Sequence, residues 1–331
     1  TQPKLLLLSP AFHGYWKAIQ ASLEVHGYDV RTHIYDAPGT LPERILNKLA
    51  HELPEKYRPE SFAAQATRKA IDAFHEFRPD IVLVIKGDML SREWWDLLET
   101  SGVRYGTWLY DEMRRMSYTE EDLHHLGALA SYSPLDAQHL REQGFEVLDM
   151  PNAYDTHCPV VPMREDSINF VGAKYPNREE TLQALVAAGL PVRAYGRAWS
   201  RHPYDILRTK QFKDSGVPAG RDIDRSEAYG IMASSPATLN IHNNQDGFTM
   251  RTFEAPGVGA LQVIDRADVD RYYIPGEEVL VYESIDELIE ICTRIFREPK
   301  WARQIREAGQ KRTLAEHTFD QRVKILEQLW A

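Results

Sequence analysis

Cysteine is nearly missing from this chain: only Cys158 and Cys292 occur in 331 residues. Two cysteines that share no motif neither staple a small secreted scaffold nor build a thiolate metal centre, so a reducing, cytoplasmic setting is expected. Long apolar runs are missing too. Nothing approaches the roughly 18 to 20 residues of a membrane span, and Leu5-Leu-Leu-Leu8 is too short for a secretory signal. A basic excess is lacking, with 39 Lys and Arg against 49 Asp and Glu and a net charge of -10. General nucleic-acid binding needs a basic footprint for phosphate contacts, so that class is set aside. No convincing Asp-x-Asp motif, no His/Cys ligand cluster, no internal repeat and no low-complexity tract is visible.

What is present is enough apolar sequence for two cores. Hydrophobic residues make up 43% of the chain, and its length exceeds the size at which one core usually stops growing. Apolar strand-like runs alternate with helical stretches, the pattern of a parallel sheet covered on both faces. The first series runs through residues 4–8, 29–35, 80–85, 104–109 and 129–132, with helices expected near 14–26, 61–77, 91–100 and 135–143. The second runs through 167–171, 191–195, 238–241, 261–264 and 279–282. Three helical stretches follow, at 285–297, 300–317 and 320–330. Residues 156–166 carry prolines and no periodicity, which suits a linker and a hinge.

The most informative stretch is Asp246-Gly-Phe-Thr-Met-Arg-Thr-Phe-Glu254-Ala-Pro-Gly-Val-Gly259, directly after the apolar run at 237–242. Two carboxylates eight residues apart, separated by a turn and the start of a helix, can converge on one polar ligand at the end of a buried strand. An ordinary strand-loop-helix connection with solvated acids is the other reading. Other strand ends carry polar groups as well. Gly172, Lys174 and Arg178 surround an expected helix start at Asn177, where free N–H groups and a dipole favour an anion; a plain Asn-capped helix with surface cations reads the same way. Arg197 lies in Tyr195-Gly-Arg-Ala-Trp199. His242 and Asn243 belong to a run of amides after the strand at 238–241, with a satisfied interior imidazole as the alternative for His242.

The segment 246–259 resembles the donor-site region of GT-B glycosyltransferases, whose retaining members carry Glu-x7-Glu followed by Ala and a small-residue helix. Together with Val263-Ile-Asp-Arg266, Tyr273-Ile-Pro-Gly-Glu277 and Val281-Tyr-Glu-Ser284, it is closer still to the CgeB-like, spore-maturation-type group. The likeness runs from about Ile168 to the C terminus, and it departs from the pattern where Asp246 replaces the first Glu.

That resemblance implies an α/β GT-B fold, two Rossmann-like domains facing across a cleft. Residues 1–155 would bind the acceptor, 156–318 the nucleotide-sugar donor, and the helix at 319–331 would pack back towards the first domain. It implies a metal-independent, hexosyltransferase-like enzyme without a cofactor, moving a sugar from a UDP- or dTDP-sugar to an unidentified acceptor. Glu254 would take the ribose hydroxyls, with Gly247, Phe248, Arg251 and Thr252 completing the donor site, and Lys174 and Arg178 would meet the diphosphate. Inverting relatives use a His in the first loop as general base, a task that suits an imidazole titrating near neutral pH. His13 is that candidate, Asp111 its rival. Asp246 favours retention instead, so the stereochemistry stays open. A GT-B-type sugar-nucleotide epimerase and a non-catalytic nucleotide-sugar-binding protein are the competing classes.

Overall fold

A computed structural model describes residues 2–37 and 61–331. The chain divides into two units, Thr1–Pro151 with Phe319–Ala331, and Asn152–Thr318. Each is built on a six-stranded parallel sheet with helices between the strands.

In the first unit the strands are β1 (Lys4–Ser9), β2 (Asp29–Ile34), β3 (Ile81–Ile85), β4 (Arg104–Leu109), β5 (Ala128–Ser131) and β6 (Val147–Asp149), in the order β2-β1-β3-β4-β5-β6. The central strands are apolar along their whole length because both faces are covered: Leu5, Leu6, Leu7 and Leu8 are each 0% exposed. At about 1.5 to 3 kcal/mol per buried side chain, this run alone anchors the unit. The C-terminal helix Phe319–Leu326 and the turn Glu327–Leu329 belong to the same unit. Trp330 donates its indole N–H to the Tyr28 hydroxyl at 3.1 Å, and the Arg104 guanidinium holds the Trp330 carbonyl at 3.1 Å.

In the second unit the strands are β7 (Ile168–Val171), β8 (Val192–Tyr195), β9 (Ala219–Gly220), β10 (Thr238–Asn240), β11 (Gln262–Ile264) and β12 (Leu280–Val281). Their order is β12-β11-β10-β7-β8-β9. The chain winds one way from β7 and the other way from β10, so the crevice between the ends of these two strands is where such sheets receive ligands.

Three expectations differ from the structure. Residues 156–166 are not a free linker. Asn152 and Tyr154 already belong to the second unit, and Val161 donates its N–H to the Ser226 carbonyl at 3.1 Å. Gly230, on the helix Arg225–Ser234, lies so close that a Cβ there would sit 1.8 Å from the Val161 oxygen. The prolines mark an extended segment laid along this helix. The division falls at 151/152 rather than 155/156. Each sheet also has one strand more than expected, the short β6 and β9 at its edge.

Candidate functional site

The loops after β7 and β10 flank the crevice of the second sheet, and most candidate donor residues lie on them. Asn240, at the end of β10, donates to the Thr252 hydroxyl and the Gln262 side-chain oxygen, both at 2.9 Å. Gln262 in turn donates to the Thr252 carbonyl at 3.0 Å. This buried network fixes the start of the helix Arg251–Gly257 and with it Glu254. The Glu254 residue is 1% exposed. One of its oxygens accepts from Arg251 Nη1 at 2.9 Å and the other from the Tyr229 hydroxyl at 3.2 Å. Arg251 also reaches the Val171 carbonyl at 3.4 Å, tying this helix to the end of β7 across the crevice. A cation and a phenol thus hold one buried carboxylate in a single orientation.

The loop after β7 is closely packed. Gly172 accepts a bond on its carbonyl from the Trp199 indole at 3.0 Å, and at Gly196 a Cβ would stand 2.6 Å from that carbonyl oxygen. Only glycine lets the β8 loop approach so near. The next helix, Pro176–Ala187, starts one residue before the expected Asn177, with proline in its first turn. Asn177 does not cap it; the side chain donates to the His242 carbonyl at 2.8 Å.

The two cations of this loop have distinct places. Arg178 is buried beneath it, donating to the Ile241 carbonyl at 2.8 Å and the Ala173 carbonyl at 3.0 Å, with its guanidinium over the Tyr175 and Phe170 rings. Burial pulls its pKa below the usual value, as expected for a cation with little water. Lys174 pairs with Glu179 at 3.1 Å and lies over the Trp199 ring. Arg178 therefore braces the ends of β7 and β10, and Lys174 holds the more accessible charge.

His242 is buried at the end of β10. Asp265, the residue after β11, accepts from its backbone N–H at 2.9 Å and meets its Nδ1 at 2.8 Å. Arg266 stacks 4.1 Å from the Phe248 ring centre and donates to the Gln245 carbonyl at 3.2 Å. Gly247, Phe248 and Thr252 are buried, while Asn243 is exposed and Asp246 half-buried. Arg197 forms an exposed pair with Asp222. The spacing argument passed over Tyr229, Asp265 and Arg266. Asp265 and Arg266 belong to the stretch 263–266 that carries the family likeness, whereas Tyr229 lies mid-helix with no local signal.

In the first unit the order of the strands reverses between β1 and β3. His13 is exposed in the loop after β1, on left-handed backbone with φ 53°. Lys86 follows β3 and Asp111 follows β4. They pair at 3.2 Å, and the second Asp111 oxygen accepts the Glu112 N–H at 2.9 Å. The neighbouring Glu112 is almost fully buried and held by Arg114, Arg115 and the Tyr132 hydroxyl.

Among the described residues, no cluster of three or more His, Cys, Asp or Glu is arranged to hold a metal ion, and no helix is long and apolar enough to cross a membrane.

Comparison with known proteins agrees with this architecture. A family model described as glycosyl transferase-like matches residues 178–328. The chain is 20% identical over 265 residues to the spore protein CgeB of Bacillus subtilis (strain 168), covering 74% of this chain and 81% of that one. A glycosyltransferase from Rickettsia africae ESF-5 superposes with a TM-score of 0.66 at 13% identity, over 99% of this chain and 98% of that one. Anabaena Alr3699/HepE, solved with UDP and glucose, superposes with a TM-score of 0.63 at 12% identity, over 99% of each chain. The likeness to these solved structures shows the GT-B fold, and the second unit is similar to a glycosyl transferase-like family.

Proposed function

We propose that the second unit binds a nucleoside diphosphate sugar, UDP- or dTDP-linked, and that the enzyme transfers a hexose from it to an acceptor without a bound metal. The observation that carries this reading is the buried Glu254 carboxylate, oriented by Arg251 and Tyr229 at the switch point of a parallel sheet. A ribose diol offers two O–H donors to such a carboxylate, a charge-assisted geometry that a neutral side chain does not match. The solved Anabaena relative with UDP and glucose supports the choice of donor class.

The diphosphate belongs at the start of the helix Pro176–Ala187, where backbone N–H groups and the positive dipole end stabilise the charge that develops as the glycosidic bond breaks. Lys174 exchanges Glu179 for phosphate in this scheme, and Arg178 positions the loop from beneath. Of the two base candidates, His13 has the ring available to take a proton, because both Asp111 oxygens already accept hydrogen bonds.

Incubation with UDP-glucose alone, in EDTA, tests the class of reaction. Transfer predicts slow release of UDP and glucose at most. Formation of a new sugar nucleotide without acceptor would make the chain an epimerase, and rescue of a dead reaction by magnesium or manganese would remove metal independence.

A further inference from the structure

We propose that His242 reads a hydroxyl of the transferred sugar through Nε2, and that Asp265 fixes the imidazole in the tautomer able to accept that hydrogen bond. The inference rests on the donor site argued above and names one of its specificity-determining contacts.

The Asp265 carboxylate engages a single residue twice, at the backbone N–H and at Nδ1. A carboxylate accepts, so Nδ1 is the proton-bearing nitrogen of the neutral tautomer, which leaves the lone pair on Nε2. Strand register brings the two residues together: Asn240 on β10 lies beside Ile264 on β11, and His242, two residues beyond β10, meets Asp265, the residue after β11.

Nε2 is buried, and among the described residues it has no hydrogen-bond partner; the His242 side chain is 2% exposed. An unsatisfied buried acceptor is destabilising, and a fold keeps one only with a compensating use. Around it, backbone carbonyls of the same loop are well provided for. Ile241, His242 and Gln245 accept bonds from Arg178, Asn177 and Arg266 respectively. The side-chain oxygen of Gln245, three residues along, is a second buried acceptor without a partner among the described residues.

Two orphaned acceptors in the loop at the crevice call for a ligand that brings donors. An ionised diphosphate brings only acceptors. A hexose brings several hydroxyl donors, so the sugar rather than the diphosphate fits this part of the site. The edge-on Phe248 ring, 5.6 Å from the imidazole, limits the ring's freedom to turn away.

The test titrates UDP and UDP-glucose into the full-length protein and two variants, with thermal melts to establish that each is folded. In His242→Asn the amide N–H replaces Nδ1–H and keeps Asp265, but the Nε2 acceptor is gone. In Asp265→Asn the side-chain oxygen still accepts the backbone N–H while its amide donates to Nδ1, moving the ring proton to Nε2. Both variants should bind UDP within twofold of the parent and UDP-glucose about tenfold more weakly. In the 15N spectrum of labelled histidine, the parent Nε2 signal should start in the unprotonated range and shift with UDP-glucose but not with UDP.

Equal weakening for both ligands would transfer the contact to the nucleotide or to the scaffold and overturn the proposal. So would parent-like UDP-glucose binding in either variant. If Glu254→Gln weakens UDP while His242→Asn changes nothing, the donor site stands and this contact falls. A parent that binds neither ligand removes both.

Discussion

His13 and Asp111 are both polar groups at strand ends in the first sheet, yet their surroundings separate them. Asp111 is committed to Lys86 and to the Glu112 N–H, whereas His13 is exposed on a strained left-handed turn beside the Phe12 ring. Turnover of His13→Ala should fall about a hundredfold or more with nucleotide affinity nearly unchanged, the size expected for loss of a general base. Asp111→Asn should keep most of its turnover. The reverse outcome in steady-state assays would make Asp111 the base, and full activity in both would favour a retaining reaction that draws no base from this unit.

Asp205 shows the same dependence on neighbours in a residue with no part in the proposed chemistry. Hydrogen bonds from Arg221 and then Ser200 hold its carboxyl down at about 2. An unfolded Asp titrates at roughly 3.9. The folded value is the lower one, so this carboxylate's stabilisation is complete above about pH 4 and is lost as the pH falls towards 2. Melting temperature followed against pH should show a shallower acid limb in Asp205→Asn than in the parent. Superimposable limbs would remove the assignment.

Among the elements, the clearest lesson comes from the extended segment 156–166. Its prolines and lack of period suggest a linker, but sequence spacing cannot reveal that it lies against the helix Arg225–Ser234. What makes that contact is the bare Cα of Gly230 facing the Val161 carbonyl. Gly230→Ala should therefore destabilise the second unit by about 1 to 3 kcal/mol through overpacking, even though alanine is the better helix former. A calorimetric melt that is unchanged or raised would return the segment to the status of a linker. Core strands such as β1 and β3 were legible because parallel strands buried on both faces are continuous apolar runs. The edge strands β6 and β9, of three and two residues, carry too little apolar sequence to be seen. Contacts made between loops were equally hidden: His242 meets Asp265 because β10 and β11 pair in register, and no local pattern encodes that pairing.

On the scale of the whole molecule, composition set the limits and the family likeness supplied the expected fold. A chain with net charge -10 still gathers Arg251, Lys174 and Arg178 around one crevice of the second sheet. The motif at 246–254 falls beside this crevice, after β10, and the contacts of its residues depend on neighbours distant in sequence. Arg178 proved to be a brace beneath the loop, and Glu254 proved to be oriented by Tyr229, which no motif contains. The donor site proposed here would work through one oriented carboxylate and a helix start, so its affinity for nucleotide should survive removal of divalent cations.

The central claim is tested most directly by isothermal titration of UDP into the full-length protein in EDTA, beside the folded Glu254→Gln variant. The account predicts saturable one-to-one binding by the parent, weakened by about 1.5 to 3 kcal/mol in the variant, the range for a hydrogen bond to a charged group. Equal affinity in parent and variant would contradict it.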